Sequence, residues 1–178
     1  MEIVKKEIKD VVEIIPKIYI DSRGCFYESF SQNNYSFLNE NFKQDNISIS
    51  TKNVLRGLHF QAPPFAQGKL VQVLSGRGLD VVVDLRKQSP TFRKHIKIIL
   101  DAELANQLWI PPGLAHGFLA LEENTILSYK CTEFYNVESE CTIYWNDPKL
   151  NIDWGIENPI ISKKDQKGES FTNFENLF

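Results

Sequence analysis

Arg56-Gly57-Leu58-His59-Phe60-Gln61 is followed, eight residues after Gln61, by Lys69. An Arg, a His and a Lys therefore fall on what reads as one short strand, a loop and the next strand. The chain has only three histidines, and imidazole is the side chain that titrates nearest neutral pH. One histidine flanked by two cations suits removal of a proton and stabilisation of the anion left behind. Arg56 stands three positions before His59, whereas strand residues on one face are two apart. A bulge or the loop must therefore help them converge. The plain alternative for His59 is a core histidine satisfied by a backbone partner.

His116 sits in Pro112-Gly113-Leu114-Ala115-His116-Gly117. This spacing is similar to the second half-motif of cupin barrels, where the His is usually a metal ligand. The first half-motif needs His-x-His and a following Glu, and here His59-Phe60-Gln61 stands in its place. Two lone imidazoles do not fill a first-row metal site without carboxylates placed to help. We therefore expect a metal-free barrel without a cofactor. His95, between Lys94 and Ile96, is expected to be a solvated surface residue. Tyr129 either packs in an aromatic core or faces His59 across a pocket and delivers a proton. Asp165, after Ser162-Lys163-Lys164, is either ordinary surface charge or a carboxylate that orients His59. The residues alone leave both choices open. Arg23, Glu28 and Gln44-Asp45-Asn46 could read a base edge or a diphosphate, or supply turn chemistry and edge polarity.

The elements that must position these groups are strands. Ile14 to Ile20 reads as an edge strand carrying one Pro, Asp21 to Gly24 as a turn, and Cys25 to Phe30 as a strand. Asn33 to Asn41 reads as a short helix. Lys69 to Leu74, Ser75 to Gly78 and Leu79 to Leu85 read as a β-hairpin. His95 to Leu100, Leu108 to Ile110, Gly117 to Leu121, Thr125 to Cys131 and Cys141 to Trp145 are further strands. Glu103 to Gln107 reads as a single helical turn. Residues from Asn151 onward are polar and loop-rich and are expected to wrap the barrel. Many short strands with Gly and Pro punctuation make an all-β sandwich or barrel.

A chain of 178 residues suits one domain. Its net charge of -3 and lack of a basic stripe exclude a typical nucleic-acid binder. Cys25, Cys131 and Cys141 are odd in number and form no Cys-x-x-Cys, which argues against a disulfide framework or zinc site. No apolar run reads as a signal peptide or a membrane span, so a cytoplasmic location and no membrane partner are expected.

Ten short segments now accumulate in order. They are Asp21-Ser22-Arg23-Gly24, Phe26 to Ser29, Gln44 to Asn46, Asn53 to Gln61, Gln67 to Val71, Val82 to Phe92, Leu108 to Phe118, Tyr129-Lys130, Trp145 to Pro148 and Ser162 to Asp165. Together they cover nearly the whole chain, which resembles the dTDP-4-dehydrorhamnose 3,5-epimerase family of metal-free cupin-type enzymes. The resemblance implies an all-β jelly-roll barrel or sandwich spanning residues 1–178. It implies a homodimer whose N-terminal strands pair with the partner subunit. It also implies a dTDP-4-keto-6-deoxyhexose substrate, epimerised at carbons 3 and 5 through an enolate. On that resemblance His59 is the base, Asp165 its orienting partner, Tyr129 the opposite-face proton donor and Lys69 the cation near the 4-keto oxygen. Arg56 and His116 match substrate-binding positions. Arg23, Glu28, Gln44, Asp45, Asn46, Glu140 and Lys164 match further nucleotide or sugar contacts. Phe134-Tyr135 and Trp154-Gly155 depart from the family's frequent Tyr-Tyr and Trp-Pro. The rivals are a single-carbon epimerase of another deoxysugar pathway, a non-catalytic sugar-nucleotide-binding barrel, and a metal-dependent cupin.

Overall fold

The computed structural model describes residues 1–178. In chain order the strands are β1 (Glu2–Lys5), β2 (Val12–Ile15), β3 (Tyr19–Asp21), β4 (Gly24–Phe26), β5 (Gln44–Ser50), β6 (Val54–Gln61) and β7 (Lys69–Ser75). They continue as β8 (Arg77–Asp84), β9 (His95–Asp101), β10 (Gln107–Ile110), β11 (Leu114–Ala120), β12 (Thr125–Cys131), β13 (Glu140–Thr142) and β14 (Ile160–Ile161). Helical structure is limited to short 3-10 turns at Ser36–Leu38, Asp165–Lys167 and Phe171–Phe174.

One sheet has the order β1-β2-β10-β7-β12-β5 and the other β13-β6-β11-β8-β9, with β14 added parallel to β6. They face each other as an all-β jelly-roll sandwich, and no ladder joins them. Side-chain alternation decides what each face meets. Val71 and Val73 of β7, Leu127 of β12, Leu114 and Phe118 of β11 and Val82 of β8 belong to one buried cluster. Leu55, Leu58 and Phe60 of β6 and Val81 and Val83 of β8 belong to another. Ile143, Leu150, Ile152, Trp154, Phe171 and Phe174, from the last third of the chain, complete that second cluster. The expected wrap is therefore an apolar cover. Each fully buried large side chain contributes about 1.5–3 kcal/mol, so this segment is part of the core despite its polar composition.

Five local readings change. Lys69 to Leu85 is not a hairpin: β7 pairs with β10 and β12, and β8 with β9 and β11. The chain crosses between sheets at Gly76, whose φ is +73°. Turn residues report a change of direction, not which neighbour follows; β8 is buried on both faces for most of its length because Val82 packs toward the facing sheet and Val81 and Val83 against the C-terminal segment. The expected strand Ile14 to Ile20 splits into β2 and β3 around Pro16, which has no N–H for a ladder. The Cys25 to Phe30 strand stops at Phe26. The two expected helical pieces shrink to a 3-10 turn at Ser36–Leu38 and a plain turn before β10.

Candidate active site

Strand β6 builds the site because its alternation breaks. Leu55 and Leu58 are three apart yet share one cluster. Between β6 and β11 the register passes from His59↔His116 to Arg56↔Phe118, so three steps on β6 oppose two on β11. Of the bulge and the loop that the Arg56–His59 spacing left open, this is the bulge. It sits at Gly57, where φ is +122° and an added Cβ would lie 2.7 Å from Gly117 Cα and 2.7 Å from the His116 carbonyl oxygen. Only glycine fits.

The bulge also leaves a gap along the free side of β6. β14 pairs with Val54 and Leu55, and β13 pairs with His59 to Gln61. Between them the Gly57 N–H donates to Asp165 Oδ2 at 3.1 Å. The other carboxylate oxygen, Oδ1, lies 2.8 Å from His59 Nε2. Asp165 is buried at the start of its 3-10 turn. Burial pushes its carboxyl up, but the His59 hydrogen bond and charge, with Gly57 N–H and Ser162, outweigh this and hold it below the usual carboxylate range. An ionised carboxylate accepts the Nε2 proton, which leaves His59 Nδ1 as the ring nitrogen with a free lone pair.

His59 lines a pocket of about 300 Å³ with Lys69, Tyr129, Gln44, Asn46 and Glu140. Lys69 opens β7, and its Nζ lies 6.0 Å from the Tyr129 ring centroid. Its ammonium makes no protein hydrogen bond or ion pair. Burial pushes its pKa down, opposed by Cys131, Asp80 and Glu140. Burial pushes the Tyr129 phenol up, with Cys131 and Glu140 adding to this and the nearby charge of Arg56 opposing it. Tyr129 therefore stays protonated at neutral pH and can donate. At the rim, Tyr135 Oη donates to Glu140 Oε2 at 2.8 Å, and Lys164 pairs with the same oxygen. Arg56 bridges the sheets, donating to Ser50 Oγ at 3.1 Å and the Ile49 carbonyl at 3.3 Å.

His116 stands opposite His59 across the β6–β11 ladder, with its Nε2 2.7 Å from Asp80 Oδ2. Asp80 is fully buried and went unnoticed in the sequence. The available signal was one carboxylate in the apolar run Leu79-Asp80-Val81-Val82-Val83. Gln61, Gln67 and Tyr135 also line the pocket, and nothing in their spacing marks them.

Other expected contacts lie elsewhere. Asp45 falls on the opposite face of β5 from Gln44 and Asn46 and pairs with Lys130 at 2.9 Å. Arg23 is held by Asp21 at 2.6 Å on the exposed β3–β4 turn. Glu28 accepts from Asn34 Nδ2 at 2.6 Å. Neither Arg23 nor Glu28 lines the pocket of its own chain. His95 is half-buried rather than solvated, and burial pushes its imidazole down. No group of three or more His, Cys, Asp or Glu side chains is placed to hold a metal. No helix is long and apolar enough to cross a membrane.

Comparison with known proteins gives a consistent result. The family profile described as dTDP-4-dehydrorhamnose 3,5-epimerase matches residues 5–173. The dTDP-4-dehydrorhamnose 3,5-epimerase of Shigella flexneri is 47% identical over 176 residues, covering 97% of each chain. The crystal structure of the Elizabethkingia anophelis enzyme of that name superposes with a TM-score of 0.92 at 44% identity, covering 100% of this chain and 99% of that one. A Legionella pneumophila dTDP-6-deoxy-D-glucose-3,5-epimerase in complex with dTDP-4-keto-L-rhamnose gives a TM-score of 0.92 at 45% identity, covering 96% and 93%.

Proposed function

The chain belongs to the dTDP-4-dehydrorhamnose 3,5-epimerase family, and from that premise we propose that it converts dTDP-4-dehydro-6-deoxy-D-glucose to dTDP-4-dehydro-L-rhamnose with His59 as base. The observation that carries the residue assignment is the shared pocket: a carboxylate-oriented imidazole, an unpaired ammonium and a protonated phenol. Carbons 3 and 5 both flank the 4-keto carbon, so one base and one cation serve both. His59 Nδ1 takes the proton, and the electron pair moves onto the ketone oxygen. Lys69 stabilises that enolate, a contribution of about 3 kcal/mol if it matches a preorganised oxyanion donor. Tyr129 returns a proton to the opposite face. The ring must turn or shift between the two inversions.

The pocket is at the small end of ligand sites, about 300–1,000 Å³. It suits the sugar ring, while the nucleotide extends past Gln44 and the Tyr135–Glu140–Lys164 rim. A second copy of the chain supplies the remaining contacts in this reading. The β3–β4 hairpin exposes Tyr19, Ile20 and Phe26, and the outer face of β5 exposes Ile47 and Ile49. Large apolar residues clustered in this way are characteristic of an interface. A hairpin seated on a partner would carry Arg23 to the partner's nucleotide, as would Glu28 just beyond it. Three free thiols and an activated-sugar substrate fit a cytoplasmic location.

Proton NMR of dTDP-4-dehydro-6-deoxy-D-glucose with the protein in deuterium oxide tests this. Deuterium should appear at both carbons. Label at one carbon only would make it a single-carbon epimerase, and no label would leave a binding barrel.

A further inference from the structure

We propose that Gln61 is a positioning residue for substrate recognition: its buried side-chain amide clamps the two loops at the mouth of the pocket and so fixes the Tyr135 ring beside the path of the nucleotide. The inference rests on the epimerase reading of the pocket and concerns what sets its affinity for the nucleotide end. Gln61 closes β6 two residues after His59, and alternation turns both side chains toward the pocket. It is 5% exposed, and a buried amide is costly unless its donors and acceptor are met.

Three bonds meet them. Nε2 donates to the Phe65 carbonyl at 2.7 Å and to the Phe134 carbonyl at 3.2 Å, and Oε1 accepts from the Asn136 N–H at 2.8 Å. Phe65 lies in the loop between β6 and β7, and Phe134 and Asn136 in the loop between β12 and β13. The two bonds to the second loop fall on either side of Tyr135. Other ties hold the bases of these loops: Gln67 Nε2 donates to the Glu133 carbonyl at 2.7 Å, and Gly68 N–H to Thr132 Oγ1 at 2.8 Å. The carbonyl before Tyr135 and the N–H after it are left to Gln61. Tyr135 itself then reaches two pocket-lining side chains, its N–H donating to Gln44 Oε1 at 2.9 Å and its Oη to Glu140 Oε2 at 2.8 Å. Both amide hydrogens of Gln61 are engaged by carbonyls, so no donor remains for a substrate, and the residue acts through the rim it holds. Phe134 and Tyr135 are exposed despite their size, so core packing does not fix them. A loop already held in its binding conformation loses less freedom when a ligand arrives, which strengthens binding without a new contact.

The test is Gln61→Met, which keeps the length and removes all three bonds. Calorimetry with dTDP as the probe needs no turnover. Affinity for dTDP should fall about 10- to 100-fold. In a Tyr135→Ala background the same substitution should cost far less, because the ring it positions is gone. With substrate, KM should rise more than kcat falls, since His59 is held separately by Asp165. A folded Gln61→Met protein that binds dTDP as wild type does, or that loses as much affinity with Tyr135→Ala as without it, would overturn the inference. Should Gln61→Met not fold, Gln61→Glu keeps an acceptor for the Asn136 N–H, loses the amide donors and is read in the same way. If wild-type protein exchanges no substrate proton, the epimerase reading falls, and the dTDP comparison still decides the clamp.

Discussion

Replacing Asp165 by Asn should disable His59 by moving one proton. The carboxylate now accepts twice, from Gly57 N–H at 3.1 Å and from His59 Nε2 at 2.8 Å. An amide has one oxygen. With that oxygen on Gly57, the NH₂ group faces His59 Nε2, which must then present a lone pair. The imidazole proton moves to Nδ1, and the nitrogen facing the pocket can no longer accept. The flipped amide would save the tautomer but set NH₂ against the buried Gly57 N–H. Leaving that donor unpaired costs about 2 kcal/mol, roughly thirtyfold in population. Loss of the charge that stabilises the imidazolium adds to this, so exchange at both carbons should fall about 10²- to 10⁴-fold, the range of a lost general base. One charge-assisted hydrogen bond, about 2 kcal/mol, would lower Tm by about 4–8 °C in a chain of this size. The assay is deuterium incorporation by proton NMR, with the His59 tautomer read from nitrogen-15 spectra. A folded variant exchanging within about tenfold of wild type, or one retaining its Nε2 proton, would refute the reasoning.

Tyr129→Phe should impair net inversion more than proton exchange, because abstraction by His59 persists while opposite-face reprotonation does not. Product formation and deuterium incorporation, measured together, check this, and unimpaired inversion would give the proton to water or another residue. Gly57→Ala adds a Cβ 2.7 Å from the β11 backbone at a positive φ. It should cost about 1–3 kcal/mol or more and, by spoiling the Gly57–Asp165 bond, lower exchange with it; chemical denaturation and the same NMR assay report both. Acid stability should depend on Asp147, which accepts from Phe171 N–H at 2.9 Å and Ser170 Oγ at 3.0 Å. Burial pushes its carboxyl up, but these bonds and two further backbone donors hold it below its ordinary value. A carboxyl depressed by folding contributes fully above its unfolded pKa of about 3.9. It loses that contribution as pH falls through the lower folded value. Tm should therefore drop more steeply below about pH 4 in wild type than in Asp147→Asn, as calorimetry across pH would show.

Short-range chemistry was legible in the chain. His59 and Lys69 lie in adjacent segments, their strands carry strong β signals, and the three-residue spacing of Arg56 and His59 called for a bulge or the loop, of which the fold uses the bulge at Gly57. An all-β sandwich or barrel followed from many short strands, and the ten ordered segments pointed to the family and, through that resemblance, to the jelly roll. What remained hidden depended on pairing. The Ser75-Gly76-Arg77-Gly78 turn looks the same whether the next strand pairs back or crosses to the facing sheet; the ladders that β8 forms with β9 and β11 decided it. Gln44, Asp45 and Asn46 are neighbours in sequence, yet alternation puts the middle one outside, and which parity faces inward is set by β12.

Asp165 could be named only as a possible partner, because 106 residues separate it from His59 and the gap between β13 and β14 that receives it exists only in the assembled sheet. Asp80 was invisible for the opposite reason: its neighbours are apolar, and its partner His116 comes from an adjacent strand 36 residues later. Residue types and local spacing thus determined which chemistry the chain could hold. The fold decided which carboxylate met which imidazole, because a hydrogen bond is made at about 3 Å and sequence separation does not measure that distance.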